Sequence, residues 1–325
     1  METPYQEGHY QPTDTSSAVN IYPPKPDQSE YRSGNAFIRF LVSIIIYGTV
    51  YYFLFSRNWQ MMIWFVGIVL FHELGHFTAM KILHYEDLGI LFIPLVGAVE
   101  HGSKDEVSQK EKAFVLLAGP LPGIIAGCFL YYFAVQHFDY FQIRIAYIFI
   151  FLNMLNLLPI FPLDGGQLLK TLFMDRKEII ASAFIFLSIA IVSWYSIRYE
   201  QWYLLIVPYF LITRAIQLLK IRRLRKQLEE QDIDYHKSWG QLSDEEYWRI
   251  RDVVGANNTP VSSFIMPGQY ELHERENQIT NYIKNVLKYQ PARDLSITAI
   301  ILIVIIWLAA IIVPLILMNR TWNLF

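Results

Sequence analysis

Seven apolar stretches set the terms for this sequence: 36–56, 59–81, 112–136, 141–161, 179–197, 201–219 and 295–318. A helix needs about 20 residues to cross the hydrocarbon of a bilayer, and in that medium every backbone polar group must be satisfied within the segment. The expected fold class is therefore an all-α polytopic membrane protein with about seven transmembrane helices. Composition agrees, with 54% hydrophobic and 17% charged residues in 325. Basic residues fall in alternate connections: Lys25, Arg32 and Arg39; then Lys81, Lys104, Lys110 and Lys112; then Lys170, Arg176 and Lys177; then Lys220, Arg222, Arg223, Arg225 and Lys226. Lys and Arg favour cytoplasmic loops, so the amino end is expected in the cytoplasm and the carboxyl end outside; a bacterial cell membrane is the expected location. A net charge of −2 says nothing about partners, and no nucleic acid is expected among them.

Between and around the spans the chain divides further. Residues 1–35 are rich in Pro, Ser, Thr, Gln and Tyr, with Pro23-Pro24-Lys25-Pro26 in their midst, and read as a disordered cytoplasmic tail. No removable signal peptide is apparent, so the first span is expected to direct insertion itself. A six-span domain over 36–219 follows, then a polar, partly helical segment at 220–294, and a final helix with a short outside tail at 295–325. The polar segment opens on the basic run Lys220 to Lys226, suited to anionic headgroups. Ser243-Asp244-Glu245-Glu246 within it is a capping box that starts a short helix. Leu272, Ile279, Ile283, Val286 and Leu287 are compatible with one buried stripe. About 75 residues is the lower edge of what holds its own core. The one cysteine, Cys128, excludes an intrachain disulfide and reads as inert packing.

The chemistry begins where span two ends. His72-Glu73-Leu74-Gly75-His76 closes an apolar run that starts at Trp59. Ionisable groups in hydrocarbon are costly and mark function. Four positions apart on a helix, His72 and His76 project from one face and can meet one metal ion, with Glu73 standing beside it. A histidine pair with this interposed glutamate is the zinc-protease signature, in which the glutamate takes a proton from metal-bound water. The same five residues also arise by chance in soluble helices. In a membrane span, three polar side chains in one turn call for an ion that satisfies them together.

A second informative stretch, Asn153 to Gln167, closes span four. Pro159 and Pro162 break the helix, and Gly165 and Gly166 open backbone angles closed to other residues, so Asp164 is expected on an unwound turn. Its depth matches that of His72 and His76. Catalytic zinc takes three protein ligands and keeps a fourth position open, which Asp164 would complete. Asn156 and Asn153 are amides in an apolar helix, fit either to orient a substrate or to donate to an oxyanion; for Asn153 an interhelical hydrogen bond is the favoured reading. Leu88 to Val99 is apolar but too short and broken to cross, and reads either as a small membrane-associated β-hairpin or as a surface loop. An open hairpin edge near the metal would accept an extended peptide by strand addition. His84 and His101 flank it and lack a partner at helical spacing, so neither is expected as a ligand. In span three, Ala118-Gly119-Pro120-Leu121-Pro122-Gly123 kinks the helix and permits close backbone approach.

Taken together, His72-Glu73-Leu74-Gly75-His76 and, about 90 residues later, Asn156 through Gly166 resemble the site-2 protease family of intramembrane zinc metalloproteases. The resemblance covers roughly 60–175, including Pro94-Leu95-Val96-Gly97-Ala98-Val99 and Ala118-Gly119-Pro120. It implies Zn2+ as cofactor, His72, His76 and Asp164 as its ligands, Glu73 as general base and Asn156 as a substrate-side helper. It also implies a transmembrane protein substrate, cut near the cytoplasmic end of its span, with the lipid bilayer as surroundings. Two departures touch substrate handling more than metal binding: Leu121-Pro122-Gly123 stands where the family more often has an alanine and an asparagine, and Val96 where it often has a second glycine.

Rival functions use these residues less well. A membrane desaturase needs several histidine boxes, and eight histidines here give one close pair. A transporter accounts for the broken helices and the intramembrane aspartate but leaves the His-Glu-His arrangement idle. A catalytically silent relative that binds membrane proteins without cutting them would have lost a ligand or the base, and all four are present.

Overall fold

A computed structural model describes residues 22–26, 36–53, 57–93, 97–104, 107–174, 178–257, 259–288 and 294–322. The helices are α1 (Ala36–Tyr51), α2 (Trp59–Ile82), α3 (Gln109–Ala118), α4 (Pro120–Gln136), α5 (Tyr140–Asn156), α6 (Asp164–Phe173), α7 (Glu178–Arg198), α8 (Ile206–Glu230), α9 (Asp244–Ala256), α10 (Glu276–Val286) and α11 (Ile297–Trp322). Two strands, β1 (Glu86–Ile93) and β2 (Gly97–Ser103), lie between α2 and α3. Local chemistry sets the helix starts. Asn58 accepts from the Gln60 and Met61 amides ahead of α2, Ser108 and Glu111 form a reciprocal capping box on α3, and Asp139 caps α5. Each satisfies amides that the first turn leaves without helical partners.

All seven apolar runs carry helix, and among the described residues four helices are long and apolar enough to cross a membrane: Trp59–Ile82, Gln109–Gln136, Ile180–Arg198 and Ile297–Asn319. Among the described residues the other three expected spans are carried by shorter or more polar helices. At 16 and 17 residues, α1 and α5 lie at the lower limit of what crosses a bilayer. The sixth run starts as a 3-10 turn at Trp202–Leu205 and then continues as α8 through Arg214, Lys220, Arg222 and Arg223, which dilutes its apolar length. The apolar helices are those of a membrane protein.

The elements that frame the site pack closely. Antiparallel α4 and α5 meet through Tyr131, Ala146 and Ile150. Against them α11 lays Trp307, whose indole N–H donates to the Leu157 carbonyl at 2.7 Å, and shares a cluster with Ala113, Leu116, Ile124, Leu168 and Leu172. Half-buried Cys128 contributes to both clusters. β1 and β2 pair antiparallel, with Gly89 opposite His101, Leu91 opposite Val99 and Ile93 opposite Gly97. Pro94, Leu95 and Val96, with the family departure at Val96, lie outside the described residues. β1 leans on α1: the Phe92 amide donates to Ser43 Oγ at 3.1 Å, and the rings of Tyr47 and Phe40 lie 5.4 and 6.0 Å from that of Phe92.

The polar segment has a core of its own, made by Leu224 and Leu228 at the end of α8, Trp239 and Leu242, Tyr247, Trp248 and Ile250 of α9, and Ile279, Ile283 and Val286 of α10. Because α8 runs unbroken from Ile206 to Glu230, the break expected at 220 falls inside a helix. Both halves of the Ser243 and Glu246 capping box form. Leu272 is exposed and stands apart from the stripe with which it was grouped. Within the tail expected to be disordered, residues 22–26 lie against this unit, where Tyr22 packs on its core.

Candidate metal centre

His72 and His76 sit one turn apart on α2, and Asp164 opens α6. His72 Nε2 is 3.1 Å from His76 Nε2, and Asp164 Oδ2 lies 3.1 Å from the first and 3.3 Å from the second. All three residues are buried.

The outer nitrogen of each imidazole fixes what the inner one presents. Asn153 donates through Nδ2 to the Phe149 carbonyl at 2.8 Å, which leaves its Oδ1 to accept from His72 Nδ1 at 2.9 Å. His76 Nδ1 meets the Val115 carbonyl at 2.8 Å. Both partners only accept, so each Nδ1 carries the hydrogen and each neutral ring turns a bare Nε2 inward. Two nitrogen lone pairs and a carboxylate oxygen thus converge, and Asp164 Oδ2 is buried with no hydrogen-bond donor. Such a set repels itself unless a cation joins it. Ligand atoms around tetrahedral zinc, bound at about 2.0–2.1 Å, stand about 3.3 Å apart, which is the spacing found here. The donor set therefore fits zinc.

Glycines explain how the pieces come so near. A Cβ on Gly75 would stand 2.1 Å from the Ala118 carbonyl oxygen, one on Gly119 would stand 2.2 Å from His76 Nε2, and one on Gly123 would stand 2.3 Å from Asn153 Nδ2. The Gly119-Pro120 break between α3 and α4 is thus the backbone wall of the site, with Pro120 at the first position of the new helix, where its missing amide costs nothing. The pair Gly165-Gly166 serves the same end. The unwound stretch is Leu157 to Leu163, with a cis bond at Phe161-Pro162, and Asp164 already stands in the first turn of α6. Both glycines are helical rather than left-handed: a Cβ at 165 would meet the Leu157 carbonyl at 2.0 Å, and one at 166 the Ile160 carbonyl carbon at 2.5 Å. That corrects the expectation that they supply unusual backbone angles. A helix N-terminus also favours a carboxylate.

Glu73 is buried beside the histidines at 5% exposure. Asn156 is half-buried and donates to the Leu152 carbonyl of its own helix at 3.2 Å. The interhelical bond read for Asn153 is present, and its partner is His72 itself. Sequence carried no sign of that partner, since an amide in an apolar helix looks the same whichever neighbour it meets. His84 closes the turn after α2 with φ of 60°. His101 lies on β2 opposite Gly89.

Residues 60–140 match the family model for Peptidase family M50. The chain is 37% identical over 113 residues to stage IV sporulation protein FB of Bacillus subtilis, covering 33% of this chain and 38% of that one. It is 31% identical over 121 residues to a zinc metalloprotease of Methanocaldococcus jannaschii, covering 34% and 33%. Among solved structures, a site-2 protease from the same archaeon is 26% identical, with a TM-score of 0.41 over 56% of this chain and 87% of that one. The chain thus spans little more than a third of the length of the curated relatives it matches. The matches to the family model and to the two curated relatives agree with the resemblance to the site-2 protease family carried by the two motifs.

Proposed function

We propose, from that resemblance, that this membrane protein is a zinc metalloendopeptidase that hydrolyses a peptide bond within or near the cytoplasmic end of a transmembrane segment of another membrane protein. The observation that carries the reading is the closed triangle of His72 Nε2, His76 Nε2 and Asp164 Oδ2, with a fourth ionisable residue, Glu73, buried one position after His72 on α2. Zinc held by these three side chains would supply a Lewis acid and a water acidic enough to lose a proton near neutral pH. Glu73 takes that proton, holds it on its carboxylate while the peptide carbonyl is attacked, and gives it to the departing amide nitrogen. Asn153 and the Val115 carbonyl keep both imidazoles in the tautomer this requires.

The basic connections support a cytoplasmic amino end, which sets the triangle in the cytoplasmic half of α2, where water arrives from that side. A helical substrate hides its carbonyls in hydrogen bonds and must unwind before it is cut. The hairpin offers a place for the unwound segment. Since β1 turns the Phe92 amide to Ser43 of α1, we assign β2 as the strand that an extended substrate joins. Asn156 acts on the substrate side once its amide leaves the Leu152 carbonyl. The test combines two measurements on purified protein. Glu73→Gln is expected to keep the full zinc content and to abolish cleavage of a co-reconstituted transmembrane substrate. Cleavage at the unaltered rate by Glu73→Gln would remove the glutamate from the reaction and the proposal with it.

A further inference from the structure

The polar unit holds a ligand already: five residues of the chain's own amino-terminal tail. Tyr22-Pro23-Pro24-Lys25-Pro26 lies across it more than two hundred residues away in sequence. The Trp248 indole N–H, on a side chain that is 0% exposed, donates to the Pro23 carbonyl at 2.7 Å. The Lys25 amide donates to Asp244 Oδ1 at 2.8 Å. Its ammonium donates to the carbonyls of Trp239 and Leu242 at 2.8 and 2.5 Å, with the Trp239 ring centre 5.5 Å away. Tyr22 sets its ring 4.8 Å from that of Tyr270, which in turn lies 5.8 Å from Trp248.

Three of these five residues are proline, and each residue that precedes a proline is biased to extended angles, so the segment favours a polyproline II conformation before it binds. That helix has three residues per turn, which puts Pro23 and Pro26 on one face and Pro24 off it. Burial follows the same period: Pro26 is buried, Pro23 partly so, and Pro24 exposed. A preformed extended segment loses little entropy on docking, and aromatic grooves with an indole donor are how folded domains receive such P-x-x-P peptides.

We propose that the unit built from the end of α8 through α10 is a recognition module for proline-rich peptides of P-x-x-P type with a lysine before the last proline, and that Tyr22–Pro26 is its ligand in cis. Trp248 and Asp244 read the backbone, the carbonyls of Trp239 and Leu242 read the Lys25 ammonium, and Tyr270 receives the leading aromatic ring. The nine residues between Pro26 and Ala36 reach at most about 3.6 Å each. Docking therefore moors the module close to the start of α1, in addition to its chain connections through α8 and α11.

Amide hydrogen exchange on the full chain in detergent tests the docking without any variant. Lys25 is expected to be protected, and exchange at the rate of an unstructured peptide would overturn the proposal. Recognition is tested by replacing residues 22–26 with Gly-Ser-Gly-Ser-Gly in the full chain and adding a fluorescent peptide spanning residues 18–30. The replaced chain is expected to bind it saturably, the unaltered chain about tenfold more weakly because its groove is filled, and a Lys25→Ala peptide about tenfold more weakly than the parent. Equal binding of the parent and Lys25→Ala peptides, or no binding by a replaced chain whose α9 amides remain protected, would overturn it. Should α9 lose protection on replacement, the exchange result on the unaltered chain decides.

Discussion

Asn153 shows how much of the centre hangs on a side chain that touches no metal. Its amide is committed twice, to Phe149 through Nδ2 and to His72 through Oδ1, and the second bond selects which histidine nitrogen faces inward. Partners of this kind are typically worth about 10- to 100-fold in metal affinity. Asn153→Ala is expected to weaken zinc binding by about that factor, measured by competition with a chelator, while leaving the helix content unchanged. Unchanged affinity would mean that His72 is oriented by packing alone. At this scale the sequence was readable where spacing speaks: His72 and His76 follow from helical periodicity, and Asp164 from its place after a broken span. It pointed to an interhelical bond at Asn153 and a close approach at Gly119 but not to their partners, and was silent on Val115, because what they meet depends on contacts between helices rather than on the pattern within one.

Among the elements, α11 has the least obvious task. It is the last of the four long apolar helices and is far in sequence from both motifs, yet Trp307 holds the Leu157 carbonyl at the point where α5 unwinds toward Asp164. Trp307→Phe would leave that buried carbonyl without its donor, at a cost of about 1–3 kcal/mol. The expected result is a lower Tm in detergent and faster loss of zinc to a chelator; unchanged values for both would show that α11 only lines the bundle. The count of spans is less legible because apolar length in sequence does not say where a helix ends. Trp202–Leu205 turns before α8 starts, and α8 then runs into arginines, so a run that looked like a crossing is shared between a turn, an apolar helix and a polar one. Ser243 and Ser108, by contrast, sit beside the glutamates that complete their caps, and such short-range chemistry is visible in sequence.

As a whole the molecule joins a bundle that carries the His72, His76 and Asp164 triangle to a polar unit with its own core. Inside that unit Arg251 and Glu276, 2% and 0% exposed, form an ion pair at 3.0 Å; Tyr247 donates to the same carboxylate, and the His273 amide reaches it at 2.9 Å. Removing one member of a buried pair leaves a charge without compensation, which costs about 3–5 kcal/mol. Arg251→Met is expected to expose α9 and α10 to hydrogen exchange while the protein keeps its zinc; loss of both together would show one cooperative body. Composition alone does not show the docking of the tail for a related reason: a proline-rich stretch without an apolar run cannot build a core, but Tyr22–Pro26 borrows one from Trp239 and Trp248. Across the whole molecule, α2 and α6 are expected to meet at one ion held by His72, His76 and Asp164. Zinc content of the purified protein and of Asp164→Ala, by elemental analysis against protein concentration, tests this most directly. One equivalent is expected in the unaltered chain and a small fraction of that in the variant, whereas an Asp164→Ala protein that retains full zinc would contradict the centre described here.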